Sequence, residues 1–220
     1  MFRYICHMSL GMPQIGEVVS EKYELVRLLG KGGMGTVWEA RHTQIGKRVA
    51  IKFLHPHLVD NPELVERFTR EARAAAAIGH RSIIDIGDIG QAADGSIYLI
   101  MEYLEGRSFG NLLQQQRGQL SPERIAYIAA QTLSALAAAH AAQIVHRDLK
   151  PDNIFLVETG QRLPDVKLLD FGISKMAPLG GLEDRLTKTG ALMGTPFYMS
   201  PEQAQGPRSW TTGPTSTPWG

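Results

Sequence analysis

Three glycines, Gly30, Gly32 and Gly35, stand between two strand-like runs, KYELVRLLG and TVWEARH. That strand–turn–strand setting constrains the fold more than any other feature. A Gly-rich turn lets the backbone approach a phosphate closely and present N–H groups to it. A dinucleotide-binding fold needs a helix after such a turn; here a strand follows, which counts against that fold. KRVAIKFL adds a third strand, and the three read as an antiparallel meander. Asn61 is placed to cap a helix that opens on Pro62, carries Glu63 in its first turn and stops at Gly79. A strand pair, about Ile83–Ile89 and Ser96–Tyr103, is joined by the turn AADG. Beyond it the chain changes character. Ser121 and Pro122 begin a long Ala-rich helix ending near Ala142, with Ile125, Ile128, Leu133 and Leu136 on more than one face. Such a helix is expected to need cover from several sides. A β-rich first half and a helical second half predict an α+β, two-lobed molecule hinged near Glu105 and Gly106.

At 220 residues, 43% apolar and 20% charged, the chain can bury a core and is expected to be globular and soluble. A net charge of +1 leaves no electrostatic footprint for nucleic acid or an anionic membrane. The single cysteine, Cys6, excludes an internal disulfide framework, has no assigned role, and makes the cytoplasm the default expectation. Gln131, Thr132, Ser134 and His140 interrupt the longest Ala-rich stretch, so no transmembrane segment is expected. The first residues, MFRYICHMSLGMP, carry one Arg and no sustained apolar run, so no signal peptide is expected; Met8 and Met12 are alternative starts.

Chemistry-bearing residues recur at informative places. Lys52 ends the strand VAIK, 17 residues after Gly35. On the first helix Leu64, Phe68, Glu71, Ala75 and Ile78 share a face that is otherwise apolar, which turns Glu71 inward. A buried carboxylate needs a cation, and Lys52 is the candidate; the alternative is that Glu71 reaches out to the rim. The run HRDLKPDN, His146 to Asn153, mixes charged groups with proline and suits a loop on a rigid scaffold, where catalytic residues concentrate. A strand at Lys167–Leu169 then delivers Asp170, Phe171 and Gly172. Two acids and an Asn within reach of each other suit a hard cation, which prefers oxygen ligands. His55 and His57 flank a Pro and lack further ligands, so they read as surface residues.

Taken together, GKGGMGTV, VAIK, Glu71, HRDLKPDN, DFG and GTPFYMSPE follow the order of the protein-kinase signature set. From about Lys22 to Gly206 the chain resembles a bacterial Hanks-type (eukaryotic-like) serine/threonine protein kinase. The resemblance implies a two-lobed kinase fold, with a β-rich N-lobe and a helical C-lobe, acting on ATP with Mg2+. It implies that the loop of Gly30, Lys31, Gly32, Gly33 and Gly35 covers the ATP phosphates, that Lys52 holds the α- and β-phosphates, and that Glu71 orients Lys52. Asp148 matches the base for the substrate hydroxyl; Asn153 and Asp170 match the magnesium ligands. Lys150 is the family's mark of serine/threonine specificity, and Thr195 matches the residue that touches the catalytic Asp and Lys. Val37, Ala50 and Phe155 are implied to sandwich the adenine, with Met101 as gatekeeper and the backbone of Glu102 and Leu104 on the adenine edge. His146 and Phe171 are implied to be structural. Arg147 matches the residue that meets a phosphate on the activation loop, Asp170 to Glu202, where Thr187 and Thr189 match autophosphorylated positions; the alternative is that they are ordinary polar loop residues. Protein substrates bearing Ser or Thr, and self-association for autophosphorylation in trans, are the implied partners.

The resemblance stops at Gly206. The last 14 residues, PRSWTTGPTSTPWG, contain no aliphatic side chain and hold Trp210 and Trp219. One permissible codon set, read in another frame, gives EELDHRADLYSLG, a string of family character, so a shifted reading frame is expected here; the alternative is a low-complexity tail. The expected organisation is an N-terminal extension (1–21), an N-lobe (22–104), an incomplete C-lobe (105–206) and the tail (207–220). A truncated, weakly active or inactive nucleotide-binding fragment is the rival to a working kinase.

Overall fold

The computed structural model describes residues 13–92, 94–117 and 119–171, together with Tyr198; at Arg67 and Glu71 it describes the backbone alone. The chain divides into two units, Met1–Lys175 and Met176–Gly220, and every element named below belongs to the first.

A six-stranded sheet comes first in the chain: β1 (Val18–Val19), β2 (Tyr23–Lys31), β3 (Gly35–His42), β4 (Arg48–Leu54), β5 (Ile86–Gln91) and β6 (Ile97–Glu102). Its order is β1-β2-β3-β4-β6-β5, antiparallel throughout. Side chains alternate across a pleated strand, and the register sorts them into two faces. Trp38, Ala40, Ile51, Phe53, Tyr98 and Ile100 form one core with Val19 and Leu25. The pairs Val37↔Lys52, Glu39↔Ala50, Ala50↔Met101 and Lys52↔Leu99 share the opposite face.

Two helices follow β4: α1 (Pro56–Val59) and α2 (Pro62–Ile78). The Asn61 side chain accepts from the N–H groups of Glu63 and Leu64 at 3.1 and 3.3 Å, and Gly79 closes α2 in the left-handed conformation at φ 60°. Phe68 and Ala72 bury against Leu54, Ile97 and Leu99, which fixes α2 to the sheet. β5 starts three residues later than the sequence reading placed it. The backbone just before it is taken by another strand: Ile84 N–H donates to the Leu168 carbonyl at 3.0 Å, and Leu168 N–H to the Ser82 carbonyl at 2.8 Å.

After residues 103–105 come β7 (Gly106–Ser108), α3 (Phe109–Gln115), α4 (Pro122–Ala141), a 3-10 turn at Pro151–Asn153, β8 (Ile154–Val157) and β9 (Asp165–Leu168). β7, β8 and β9 form a small antiparallel sheet. α4 packs Ile128, Ala135 and Ala139 into a core with Ile154, Leu156, Val166 and Leu168. Of the polar residues that interrupt its apolar run, Gln131 and Thr132 are buried and satisfied, while Ser134 and His140 are exposed. Gln131 donates to the Pro164 carbonyl and accepts from Val166 N–H, both at 3.2 Å, and Thr132 donates to the Ile128 carbonyl at 2.8 Å. Leu133, on the other side of α4, is 64% exposed, and Ile125, near the start of the helix, is 44% exposed, so among the described residues one face of the helix is covered, not several. No helix among the described residues is long and apolar enough to cross a membrane.

Candidate active site

The sheet face that carries Val37, Ala50, Lys52 and Met101 forms one wall of the site. Over it lies the turn from Gly30 to Gly35, closed by a bond from Gly32 N–H to the Gly35 carbonyl at 2.8 Å. Gly35 is required by packing: a Cβ there would stand 1.7 Å from the Phe53 carbonyl oxygen, whereas one at Gly30 would meet nothing within 4 Å. Lys52 is buried, and its Nζ lies 2.5 Å from Asp170 Oδ1. The described partner of Lys52 is therefore Asp170; the Glu71 side chain, expected in that role, lies outside the described residues.

Opposite this wall is the loop from His146 to Asn153, set between α4 and β8. Its polar groups are tightly committed. Asn153 Nδ2 donates to the Asp148 carbonyl at 2.8 Å and to Asp148 Oδ2 at 3.2 Å, and Lys150 Nζ lies 3.0 Å from Oδ2. Asp148 is 5% exposed, so that carboxylate is held in a low-dielectric setting with a cation beside it. The committed nitrogen leaves the oxygen arm of the Asn153 amide as an acceptor.

His146 ties this loop to the segment carrying Asp170. Its Nε2 meets the Leu169 carbonyl at 2.9 Å, its ring packs 4.7 Å from the ring of Phe171, and Asp148 N–H approaches Nδ1 at 3.4 Å. A hydrogen on Nε2 and a lone pair on Nδ1 satisfy both contacts with a neutral ring. Burial holds the imidazole below its ordinary pKa, against the opposing pull of the Leu169 carbonyl and the Asp148 and Asp170 charges. Leu169 N–H also donates to the Asn153 carbonyl at 2.9 Å. Arg147 and Asp170 both adopt positive φ, 59° and 52°; such backbone costs on the order of 1–3 kcal/mol and concentrates at functional sites.

The remaining positions distribute as follows. Phe155 stands on β8, in the small sheet, and Glu102 and Leu104 lead out of β6. Thr187, Thr189 and Thr195 lie outside the described residues. Two sets of residues escaped the sequence reading. Lys167, three residues before Asp170, places Nζ 2.5 Å from Glu102 Oε1, which also accepts from Asp85 N–H at 2.8 Å. Buried Glu39 accepts from Arg27 at 2.7 Å and from Arg48 at 2.8 Å, while Arg48 also pairs with Glu105 and lies 3.9 Å over the Tyr103 ring. Burial pushes the Glu39 carboxyl up, but the hydrogen bonds and charges of Arg48 and Arg27 outweigh it and hold the group below the usual carboxylate range. The signal for this network was present in the meander, because Arg27 falls directly opposite Glu39 once β2 and β3 pair.

A family model for the protein kinase domain matches residues 23–216. The chain belongs to the protein kinase family. The kinase domain is 43% identical over 193 residues to serine/threonine-protein kinase pkn3 of Myxococcus xanthus, with 87% of this chain and 35% of that protein covered. It is 41% identical over 198 residues to serine/threonine-protein kinase PknA of Mycobacterium tuberculosis, with 88% and 44% covered. This chain thus spans less than half the length of these relatives. The crystal structure of the Mycobacterium tuberculosis PknI kinase domain superposes with a TM-score of 0.63 at 29% identity, covering 79% of this chain and 69% of that one. The two sheets and the helices packed on them are those of a protein-kinase fold.

Proposed function

We propose that this kinase domain transfers the γ-phosphoryl group of ATP to Ser and Thr hydroxyls of proteins. The observation that carries the reading is the convergence of Asp148, Lys150 and Asn153 in one hydrogen-bonded group, with Lys52 paired to Asp170. The kinase names of the relatives and the signature motifs support it.

In this reading Asp148 takes the proton of the attacking hydroxyl, and Lys150 balances the charge that gathers on the transferring group. Lys52 bonds the α- and β-phosphates once nucleotide enters, which requires it to share or exchange its contact with Asp170. Gly30, Lys31, Gly32, Gly33 and Gly35 close over the phosphates. Val37, Ala50 and Phe155 enclose the adenine, Met101 limits the depth of its pocket, and the backbone of Glu102 and Leu104 bonds its edge. By the family resemblance Glu71 would orient Lys52, and Thr195 would serve Asp148 and Lys150; the Glu71 side chain and Thr195 lie outside the described residues.

The donor set fits magnesium. Among the described residues no group of three or more His, Cys, Asp or Glu gathers as a metal cage, and Mg2+ characteristically takes one or two protein oxygens and completes its shell with phosphate and water. The Asp170 carboxylate and the oxygen arm of Asn153 would supply those oxygens. Bound there, the ion would neutralise charge on the phosphates.

Phosphate on Thr187 or Thr189 would add about −1.5 to −2 charge and draw on Arg147 to order the activation loop. Self-association would let one copy modify another. The domain plan 22–104 and 105–206, with a frame-shifted tail after Gly206, and a cytoplasmic setting belong to the same reading. The deciding experiment is transfer of labelled phosphate from ATP to a generic basic protein, with Asp148→Asn as control. Transfer that is absent in the wild-type chain, or undiminished in Asp148→Asn, overturns the reading.

A further inference from the structure

His55 and His57, which the sequence reading left on the surface, flank Pro56 at the start of α1. His55 is the residue before that helix, with extended backbone at φ −60° and ψ 139°, and its carbonyl accepts from Leu58 N–H at 2.9 Å. The two imidazoles stack, 5.5 Å between centroids and 20° between planes. The His55 ring reaches back to the Gly-rich turn. Nε2 lies 2.9 Å from the Gly32 carbonyl oxygen, which otherwise accepts only a long 3.4 Å bond from Gly35 N–H among the described residues, and His55 N–H donates to the Met34 carbonyl at 2.8 Å. Facing a carbonyl, Nε2 must carry the hydrogen.

A glycine turn held only by its own backbone flips its peptides readily. In a trans peptide the carbonyl of one residue and the N–H of the next point in opposite directions. Pinning the Gly32 carbonyl on His55 therefore commits the Gly33 N–H to the side away from His55. We propose that His55 is a positioning residue that holds the Gly32–Gly33 peptide with the Gly33 N–H turned to the nucleotide phosphates. The proposal rests on the phosphotransfer reading. It makes His55 a determinant of nucleotide affinity that acts through the loop and never touches ATP. It predicts a loss of ATP affinity with little loss of turnover at saturation.

The test compares wild type, His55→Ala and His55→Gln, the last keeping an N–H donor. Three quantities are read: the Kd for Mg-ATP by direct titration, KM for ATP against kcat, and amide hydrogen exchange across residues 30–36 without nucleotide. Loss of one such bond in His55→Ala should raise Kd and KM for ATP about threefold to tenfold. Exchange across 30–36 should quicken, kcat should change little, and His55→Gln should recover most of the affinity. Unchanged Kd and exchange in His55→Ala overturn the proposal. So does a Gln variant as weak as Ala while its melting temperature matches wild type, and so does a parallel fall of kcat and stability that marks a merely structural role. A wild-type chain that binds no ATP overturns the phosphotransfer reading, and the phosphate role of His55 with it; a wild type that binds ATP beside an unaffected His55→Ala overturns the His55 proposal alone.

Discussion

Lys52 and Asp170 lie 118 residues apart in the chain and meet with Nζ 2.5 Å from Oδ1. Lys52 comes from β4 of the large sheet and Asp170 stands just past β9, so this contact joins the sheet face to the segment that carries a proposed metal ligand. The Asp170 side chain is 41% exposed, and a pair open to water contributes modestly to stability. Lys52→Met should therefore abolish phosphotransfer while leaving the thermal melt close to wild type. Turnover that survives this substitution would remove Lys52 from the mechanism.

Asp148→Asn keeps the shape of the loop but removes the proposed proton acceptor. The change should lower kcat by about 10²- to 10⁴-fold, with KM for ATP little altered because Lys52 and the Gly-rich turn are intact. A loss carried mainly by KM for ATP, measured under initial-rate conditions, would assign Asp148 to nucleotide binding.

His146 makes stability depend on pH. Burial holds its folded pKa below the ordinary 6.5. Below about pH 6.5 the unfolded chain takes up a proton that the folded chain refuses. Its contribution is present above that pH and is lost as the pH falls toward the depressed folded value. Urea midpoints between pH 7.5 and 5.5 should drop for wild type and drop less for His146→Phe, which keeps a ring against Phe171. Equal slopes in the two proteins would show that another group sets the dependence.

Gly35 and Gly30 should respond very differently to a methyl group. At Gly35 the added Cβ collides with the Phe53 backbone, which cannot rotate away, whereas at Gly30 it meets open space. Gly35→Ala should cost about 1–3 kcal/mol or more. Gly30→Ala should leave the midpoint of unfolding nearly unchanged. Comparable midpoints for the two variants would contradict the close approach of β3 to β4.

The two sides of α4 offer a matching contrast. Ile128 is 2% exposed and Leu133 64%. Ile128→Ala should cost about 2–5 kcal/mol, and Leu133→Gln less than about 0.5 kcal/mol. A large loss at Leu133 would mean that this face is covered.

Local physics was enough to read much of this protein from its residues alone. Asn61, Pro62 and Gly79 bound α2, and Ser121 and Pro122 begin α4, because caps and proline act on the backbone beside them. Alternation along a strand puts Ala50 and Lys52 on one face of β4, but the pairing of β3 with β4 is what brings Val37 onto it. The family itself was legible because its motifs are short, ordered runs. Which carboxylate meets Lys52 was decided by tertiary structure. Lys52 and Asp170 stand 118 residues apart, and bringing them together requires closing loops whose entropy no local pattern encodes. For the same reason Ile84 pairs with Leu168 in place of extending β5, Lys167 finds Glu102, and His55 reaches Gly32. Periodicity shows that α4 is apolar on several sides, but only packing decides that Ile128 is buried and Leu133 is not.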